Sequence, residues 1–462
     1  MKLDLLFQHS LTYLTLFVTT SANALPFSIL PDTSVPFPTT MVLGTTVYAT
    51  YTVRNNTNIA RNGNYVKYLP PNVTIMPTGC GSTFNLAAYG QAGDSCSLNL
   101  AITNAVEAND PDIHNHLFVC FPGGITCAGT PFPLDVSVLS NIGVSGINAL
   151  THLDTTIFSG GLNSSNKGSM WAFKTSTWDT IYSGAASSPV EAITVSTGTP
   201  IYFGGEVYSS GQYYSAWVYQ YNTTTEVTAD TGFMSSTNAS KLDSLTMSNT
   251  TVYAGGIDST GKQGQAWSYN MANGTWVSLN ITDTNISEVM SVLYSPVQAY
   301  LFDAVTNKGS GNPYAQVQYY NGTAWTDTGL PSNASGTYLT RVNSLAADSV
   351  GAIYAGGVDS QGKAAVWKYA GGIWTALTAP ASAGEIYALS FNNEGILFAG
   401  GLSGTTGQVW YFNTGASTWV SMNITGSTLI QSITINSSDI LYAGGLATNN
   451  SSGIWSMSAK VS

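Results

Sequence analysis

Four lysines, Lys167, Lys262, Lys308 and Lys363, recur at comparable places in a repeating sequence. Two of them close near-identical turns, Ile257-Asp258-Ser-x-Gly-Lys262 and Val358-Asp359-Ser-x-Gly-Lys363. Ammonium groups gathered on one surface raise the local potential and favour an anionic ligand such as an acidic glycan. Asp258 and Asp359 lie on the same turns and offset that charge. Gly-Lys is also an ordinary solvated hairpin turn. Tyr208, Tyr213 and Tyr214 occupy the equivalent turn of another repeat. Flat amphipathic rings in such a turn suit contact with glycan or protein, unless they fold back over their own strands.

Metal chemistry has one foothold. His114 and His116 stand as His-Asn-His beside Asp110 and Asp112. On a strand, residues two apart share a face and can ligate together; an exposed polar loop is the plainer reading, so no metal site is assigned. The four cysteines, Cys80, Cys96, Cys120 and Cys127, all fall in the first third. Four cysteines allow three pairings. Cys80–Cys96 and Cys120–Cys127 are favoured because each closes a short local loop. A zinc site is disfavoured, since the spacing lacks two Cys-x-x-Cys knuckles. No Gly-x-Ser-x-Gly elbow and no Gly-x-x-x-x-Gly-Lys-Ser/Thr phosphate loop is present. The turn Asn273-Gly-Thr-Trp276 lacks the Asp of a sialidase Asp-box and reads as a hairpin. A pair of carboxylates suffices for glycoside hydrolysis, so catalysis stays open.

The elements that must hold these residues are read from composition and pattern. Over 462 residues, 8% are charged, 11% are aromatic and 47 are Gly, which suits short strands joined by polar turns. A net charge of −11 with 13 basic residues argues against a nucleic-acid partner. Lys2, the apolar run Leu11–Val18 and Ala22-Asn23-Ala24 read as a signal peptide over 1–24. With no later apolar run near the ~20 residues a membrane span needs, the chain is expected to be secreted or held at the cell surface. Asn-x-Ser/Thr sequons, as at Asn222, Asn273 and Asn321, are abundant in this Asn-, Ser- and Thr-rich chain.

Thr46 to Val53 alternates with period two and ends at Arg54-Asn55-Asn56-Thr57, a strand and then a turn. Further strands are expected at Ser97–Ile102, Leu117–Cys120 and Leu134–Leu139, together a small β-sandwich over 25–140. The runs Tyr51-Thr-Val-Arg-Asn-Asn56, Thr78-Gly-Cys-Gly81 and Gly93-Asp-Ser-Cys-Ser-Leu-Asn-Leu100 resemble the immunoglobulin-like modules of bacterial envelope and secreted proteins. The resemblance implies a fold and an extracellular setting, not a chemistry.

From Ile147 the sequence repeats. Inner-strand candidates are Ile147-Asn-Ala-Leu150, Val190-Glu-Ala-Ile193, Leu242-Asp-Ser-Leu245, Val289-Met-Ser-Val292, Val342-Asn-Ser-Leu345, Ile386-Tyr-Ala-Leu389 and Ile430-Gln-Ser-Ile433. Each leads into an apolar-aromatic strand that in six copies ends in Gly-Gly, with Asp303-Ala304 in the fourth. Spacings of 44, 51, 101 (two units), 44 and 44 residues give seven units. An aromatic strand follows each pair, then often a second Trp, and all 11 Trp fall on these two positions. Stacked sheets bury such aromatics between neighbours, small residues avoid crowding at the axis, and the glycines allow close approach and a sharp strand exit. This layout resembles kelch repeats and the propellers related to galactose oxidase. Oxidase chemistry would need copper held by His and Tyr with a Tyr–Cys cross-link, yet this segment has no Cys and His152 as its one His. No cofactor is therefore expected. The seventh unit lacks an outer strand, and the segment Leu134–Val144 is the expected donor.

The expected architecture is all-β: an N-terminal Ig-like β-sandwich (25–140) followed by a seven-bladed kelch-like β-propeller (141–462). The expected function is recognition of an extracellular protein or glycan, as a monomer, through the propeller face bearing Lys167, Lys262, Lys308 and Lys363. A carbohydrate-active hydrolase or lyase using carboxylates at the central channel is the rival.

Overall fold

The computed structural model describes residues 26–460 apart from 33–39, 43–45, 70–71, 104–116, 123–126, 131–136, 141–143, 175–176, 187, 196–199, 210–211, 308–313, 332–337, 381, 423, 425 and 449–450. Residues 1–24, His114, His116, Asp110, Asp112 and Lys308 fall outside that set. The described residues are almost entirely β, arranged in nine sheets, with one short helix at Phe233–Thr237.

Two four-stranded sheets are built before residue 130. One holds Phe27–Pro31, Val47–Asn55, Ser95–Ile102 and Val73–Gly79 in that order, and the other Thr83–Leu86, Arg61–Lys67, Phe118–Cys120 and Cys127–Gly129. They share one core that includes Phe27, Tyr51, Val53, Leu98, Leu100 and Val119. The expected strand at Leu134–Leu139 is not part of either sheet. Cys80 bonds Cys96 and Cys120 bonds Cys127. Arg54 grips Asp94 through Nε at 3.0 Å and Nη2 at 2.9 Å. The Gly90 N–H, ahead of Arg54, holds the Asp94 carboxyl below its ordinary range. Gly79 has φ +81°, and a Cβ there would lie 1.9 Å from the Ser97 carbonyl. Glycine is required at that position.

The repeats form the other sheets. The first consists of Val144–Leu153, Thr156–Asn163, Lys167–Lys174 and Thr177–Ala186, each strand antiparallel to the next. The second to sixth sheets follow the same order, with first strands at Val190–Thr194, Lys241–Met247, Ile286–Ser295, Leu339–Ala347 and Ala383–Phe391. The seventh contains Ser427–Ile435, Ile440–Ala447 and Ser452–Ser458, and it is completed from upstream. Ser137–Ser140 pairs antiparallel with Ser452–Ser458, and Thr40–Val42 adds parallel to Ser137–Ser140, making five strands. Two segments from before the repeats thus cap the last sheet.

First strands of successive sheets pack on one another, and that of the seventh packs on that of the first. Each neighbouring pair has its own apolar core. Val190, Ile193 and Trp217 pack with Phe158 and Met170 between the first and second sheets. Ile147, Leu150 and Trp171 pack with Tyr442 and Ile454 between the first and the seventh. The Leu150 N–H donates to Ser432 Oγ at 2.9 Å across that last junction, so the set of sheets closes on itself.

The glycine pairs do not end their strands, as the sequence reading expected; they sit inside them. A Cβ on the first Gly would strike the next sheet's inner strand: Gly255 would meet Val289 at 2.6 Å, and Gly444 would meet Ile147 at 2.5 Å. A Cβ on the second would strike the carbonyl of its own sheet's inner strand, as Gly256 would at Lys241 O, 2.0 Å away. Close approach, not chain reversal, selects glycine. The fourth copy also needs realignment. Ser291 pairs with Ala304 and Val289 with Val305, so Ala304-Val305 takes the Gly-Gly place. Asp303 then falls one step earlier, where the third and fifth sheets have Ala254 and Ala355.

The small inner-strand residues do more than avoid crowding. Ser244, Ser291 and Ser344 each accept the backbone N–H of Val292, Leu345 and Leu389 on the next sheet, at 3.1, 3.2 and 3.0 Å. The second tryptophans reach the preceding sheet. Trp276 Nε1 donates to Thr231 Oγ1 and Trp374 Nε1 to Thr328 Oγ1, both at 3.0 Å. Thr231 and Thr328 stand in a repeated Asp-Thr-Gly turn.

Candidate functional site

In every inner strand the ladder skips a residue within the repeated motif, and in five of the seven it skips a second one closer to the strand's start. The breaks within the motif lie between Ile147 and Ala149, Val190 and Ala192, Leu242 and Ser244, Val289 and Ser291, Val342 and Ser344, Ile386 and Ala388, and Ile430 and Ser432. The skipped residues are Asn148, Glu191, Asp243, Met290, Asn343, Tyr387 and Gln431. A bulge leaves its extra residue without a ladder partner and re-aims its side chain. Here the flanking apolar residues are buried in the junctions while the skipped ones are half-buried. The repeat therefore sets seven side chains of six different kinds at one level around the closed set of sheets. That level falls at the middle of the longer inner strands, as with Asn148 in Val144–Leu153 and Asn343 in Leu339–Ala347, and early in Val190–Thr194 and Lys241–Met247. Val144 pairs with Asn163, immediately before the turn that carries Lys167, so the lysine turns lie at the end where the inner strands begin.

Charge concentrates on one side of this level. Lys241 Nζ lies 2.6 Å from Asp243 Oδ1 and 2.5 Å from Glu288 Oε1. Glu191 Oε2 accepts from Asn148 Nδ2 at 2.9 Å. Glu206, next to the second sheet's Gly-Gly, is 3% exposed. Burial alone would lower the Lys241 ammonium, but Asp243 and Glu288 outweigh it and hold it above the ordinary lysine value. Burial, followed by the charges of Glu191 and Asp243, pushes the Glu206 carboxyl up to about 9. Burial also raises Glu191, against the pull of Lys241. Carboxylates outnumber the lysine.

A second group lies on the fifth and sixth sheets. Arg341 Nη2 pairs with Glu385 Oε1, which also accepts from Asn343 Nδ2 at 2.7 Å. Tyr387 OH donates to Glu385 Oε2 at 2.9 Å. Glu385 is thereby satisfied, and Arg341 stays 43% exposed in its side chain. The site offers an acidic side and an exposed guanidinium, with Met290 between them in strand order.

The residues proposed from the sequence sit on the turns around this level. Asp258 Oδ1 accepts from the Thr260 N–H at 3.1 Å and the Thr260 hydroxyl at 2.7 Å. Asp359 Oδ1 accepts from the N–H groups of Gln361 and Lys363 at 2.8 and 2.9 Å. Asn163 makes the same turn ahead of Lys167, accepting from Ser165 and Lys167 N–H at 2.9 and 3.0 Å. Lys167, Lys262 and Lys363 are exposed. Tyr208 and Tyr213 pair across the second sheet's hairpin, but the side chains of Tyr208, Tyr213 and Tyr214 lie outside the described residues, as does Lys308. His152 lies at the opposite end of its inner strand, with Nδ1 2.9 Å from Thr434 Oγ1, and burial lowers its pKa. Among the described residues no cluster of three or more His, Cys, Asp or Glu is arranged to hold a metal ion.

Glu191, Glu206, Asp243, Glu288 and Lys241 were not singled out from the sequence. For Glu191 and Asp243 the signal was present as the variable second residue of the inner-strand motif; Lys241 and Glu288 stand just before that motif and Glu206 just after Gly204-Gly205, places that carried no such signal.

The closed series of antiparallel four-stranded sheets defines a protein of the β-propeller class. No protein-family model and no curated protein matches the chain. Among solved structures, the chain is similar to YCF48 bound to D1 peptide at a TM-score of 0.51 and 12% identity, over 70% of this chain and 97% of that one. It is also similar to the WD40 β-propeller domain of Doa1 (TM-score 0.48, 12% identity, 68% of this chain and 93% of that one). A chain of a mitotic checkpoint complex gives 0.49 and 11% identity over 69% of this chain and 90% of that one. At such identities the likeness concerns the fold alone. No helix among the described residues is long and apolar enough to cross a membrane.

Proposed function

We propose that this chain is a secreted or surface-exposed recognition protein, with a seven-bladed kelch-like propeller carrying an Ig-like N-terminal domain. The propeller binds an extracellular protein or glycan at the end where the inner strands begin. One observation carries the reading: a bulge common to all the inner strands presents, at a common level, a side chain whose chemistry varies from repeat to repeat. A merely structural ring has no need for Asn, Glu, Asp, Met, Asn, Tyr and Gln at equivalent places, whereas one asymmetric ligand does. Arg341, whose side chain is 43% exposed while Nη2 pairs with Glu385, supplies a cationic contact for an anionic group. The exposed Lys167, Lys262 and Lys363 lie on turns at that end and support an anionic ligand, and Lys308, Tyr208, Tyr213 and Tyr214 are proposed as further contacts from their sequence positions. The two disulfides support an oxidising, extracellular setting.

The hydrolase or lyase reading rests on the carboxylates gathered at this level. It is weakened because one oxygen of Glu206 and one of Asp243 are fully buried, and Glu385 is tied to Arg341, Asn343 and Tyr387. The test is capture from extracellular extracts and on glycan arrays with the full chain, comparing it with Met290→Arg/Gln431→Arg. Ligand retained by the native chain and lost by at least tenfold in the folded variant supports recognition at this level. Equal capture by both removes it, and turnover of the bound glycan replaces recognition with catalysis.

A further inference from the structure

We propose that Glu206 and Asp243 share one proton, and that this proton latches the second sheet to the third at the level of the bulges, making the site sensitive to pH. Glu206 Oε2 and Asp243 Oδ2 are both buried and have no hydrogen-bond partner. The other Asp243 oxygen accepts from Lys241 at 2.6 Å, which marks Asp243 as the ionised member. Each of these buried acceptors without a partner is costly, and one O–H shared between the two side chains would satisfy both, the acid donating and the carboxylate accepting. The charged groups around Glu206 come from every neighbouring inner strand. They are Glu191 from the second sheet, Lys241 and Asp243 from the third, and Glu288 from the fourth. With all of them ionised, four carboxylates would crowd around the one ammonium of Lys241 in a half-buried cluster. Like charges so placed cannot all ionise, and one retains its proton. The two carboxyls then titrate as a unit.

The sign follows from linkage. Folded Glu206 keeps its proton up to about pH 9, whereas an unfolded glutamate releases it near ~4.3. Between those values the native state binds the extra proton, so stability is full below the lower value and declines as pH rises. This site alone contributes about a tenfold loss in the folding constant per pH unit over that window.

Carbon NMR of the side-chain carboxyls in the full chain, titrated from pH 4 to 10, tests the proposal directly. Glu206 and Asp243 moving together, well above the ordinary carboxylate range, is the expected result. Both titrating near their ordinary values would overturn it. Denaturation of Glu206→Gln at pH 5 and pH 8 gives a second measurement. Its folding constant should resemble that of the native chain at pH 5 and exceed it by at least tenfold at pH 8. An unchanged pH dependence refutes the latch. Should Glu206→Gln fail to fold, Asp243→Asn is read in its place, with Glu206 expected to shift its titration.

Discussion

Replacing Asp303 by alanine should stabilise the protein, and by more at pH 8 than at pH 5. The register gives the reason. The third, fifth, sixth and seventh sheets pair an alanine with a tryptophan at this position: Ala254 with Trp267, Ala355 with Trp367, Ala399 with Trp410 and Ala443 with Trp455. The fourth sheet pairs Asp303 with Gln318 instead. Asp303 is 0% exposed and Gln318 6%. Both Asp303 carboxyl oxygens and the Gln318 amide oxygen lack a partner. Burial holds the Asp303 pKa well above its usual value, and the nearby Gln318 backbone N–H only partly opposes this. An unsatisfied buried polar group costs about 1–3 kcal/mol, while the small void left by alanine costs about 1 kcal/mol. The net gain at acid pH is therefore about 0–2 kcal/mol. Because the folded pKa lies above the unfolded one, native stability is fullest below about pH 4. It then falls by about 1.4 kcal/mol per pH unit until the folded group ionises. Asp303→Ala removes that slope. Urea denaturation followed by tryptophan fluorescence at both pH values measures the difference, with Asp303→Asn separating charge from shape. A loss above about 1 kcal/mol for Asp303→Ala, equal at the two pH values, would show that the carboxyl holds the third and fourth sheets together.

Gly256→Ala should cost more than about 3 kcal/mol, because its Cβ would lie 2.0 Å from the Lys241 carbonyl and a backbone oxygen cannot swing aside; loss of soluble protein or of the cooperative transition reports it. Asp258→Asn should change stability by less than about 0.5 kcal/mol, since Asn163 already closes the same turn in the first sheet. Thermal unfolding at one pH checks that, and a large loss would mean the Asp258 charge matters. Trp374→Phe should cost about 0.5–1.5 kcal/mol by freeing the Thr328 hydroxyl from its 3.0 Å bond, as read from the denaturation midpoint.

Much of the architecture was legible along the chain because duplication writes the same physical demand repeatedly. Ile147-x-Ala-Leu150 and its copies mark inner strands, since their apolar residues enter the junctions on either side. Gly-Gly marks a crowded crossing, and Trp marks the faces where sheets stack. The cysteine pairing also followed from local loop length, and the structure forms those same bonds. Period-two alternation located the strand at Val47–Asn55 for the same reason: the pleat is a local property.

The site was different in kind. Glu191, Glu206, Asp243 and Glu288 are scattered over nearly 100 residues of sequence. Their encounter with Lys241 depends on how far each strand is displaced against its neighbour and where its ladder skips a residue. A bulge is not visible in periodicity, because the apolar pattern on both sides of Asp243 is undisturbed. Asp303 shows the same limit: by spacing it stood in the glycine pair, and by register it lies one residue away, in a fully enclosed place. Composition and repetition determined what kinds of strand this chain would make. Tertiary structure alone decided which polar side chains were shut away from water together, because that depends on contacts between strands whose register no local pattern records.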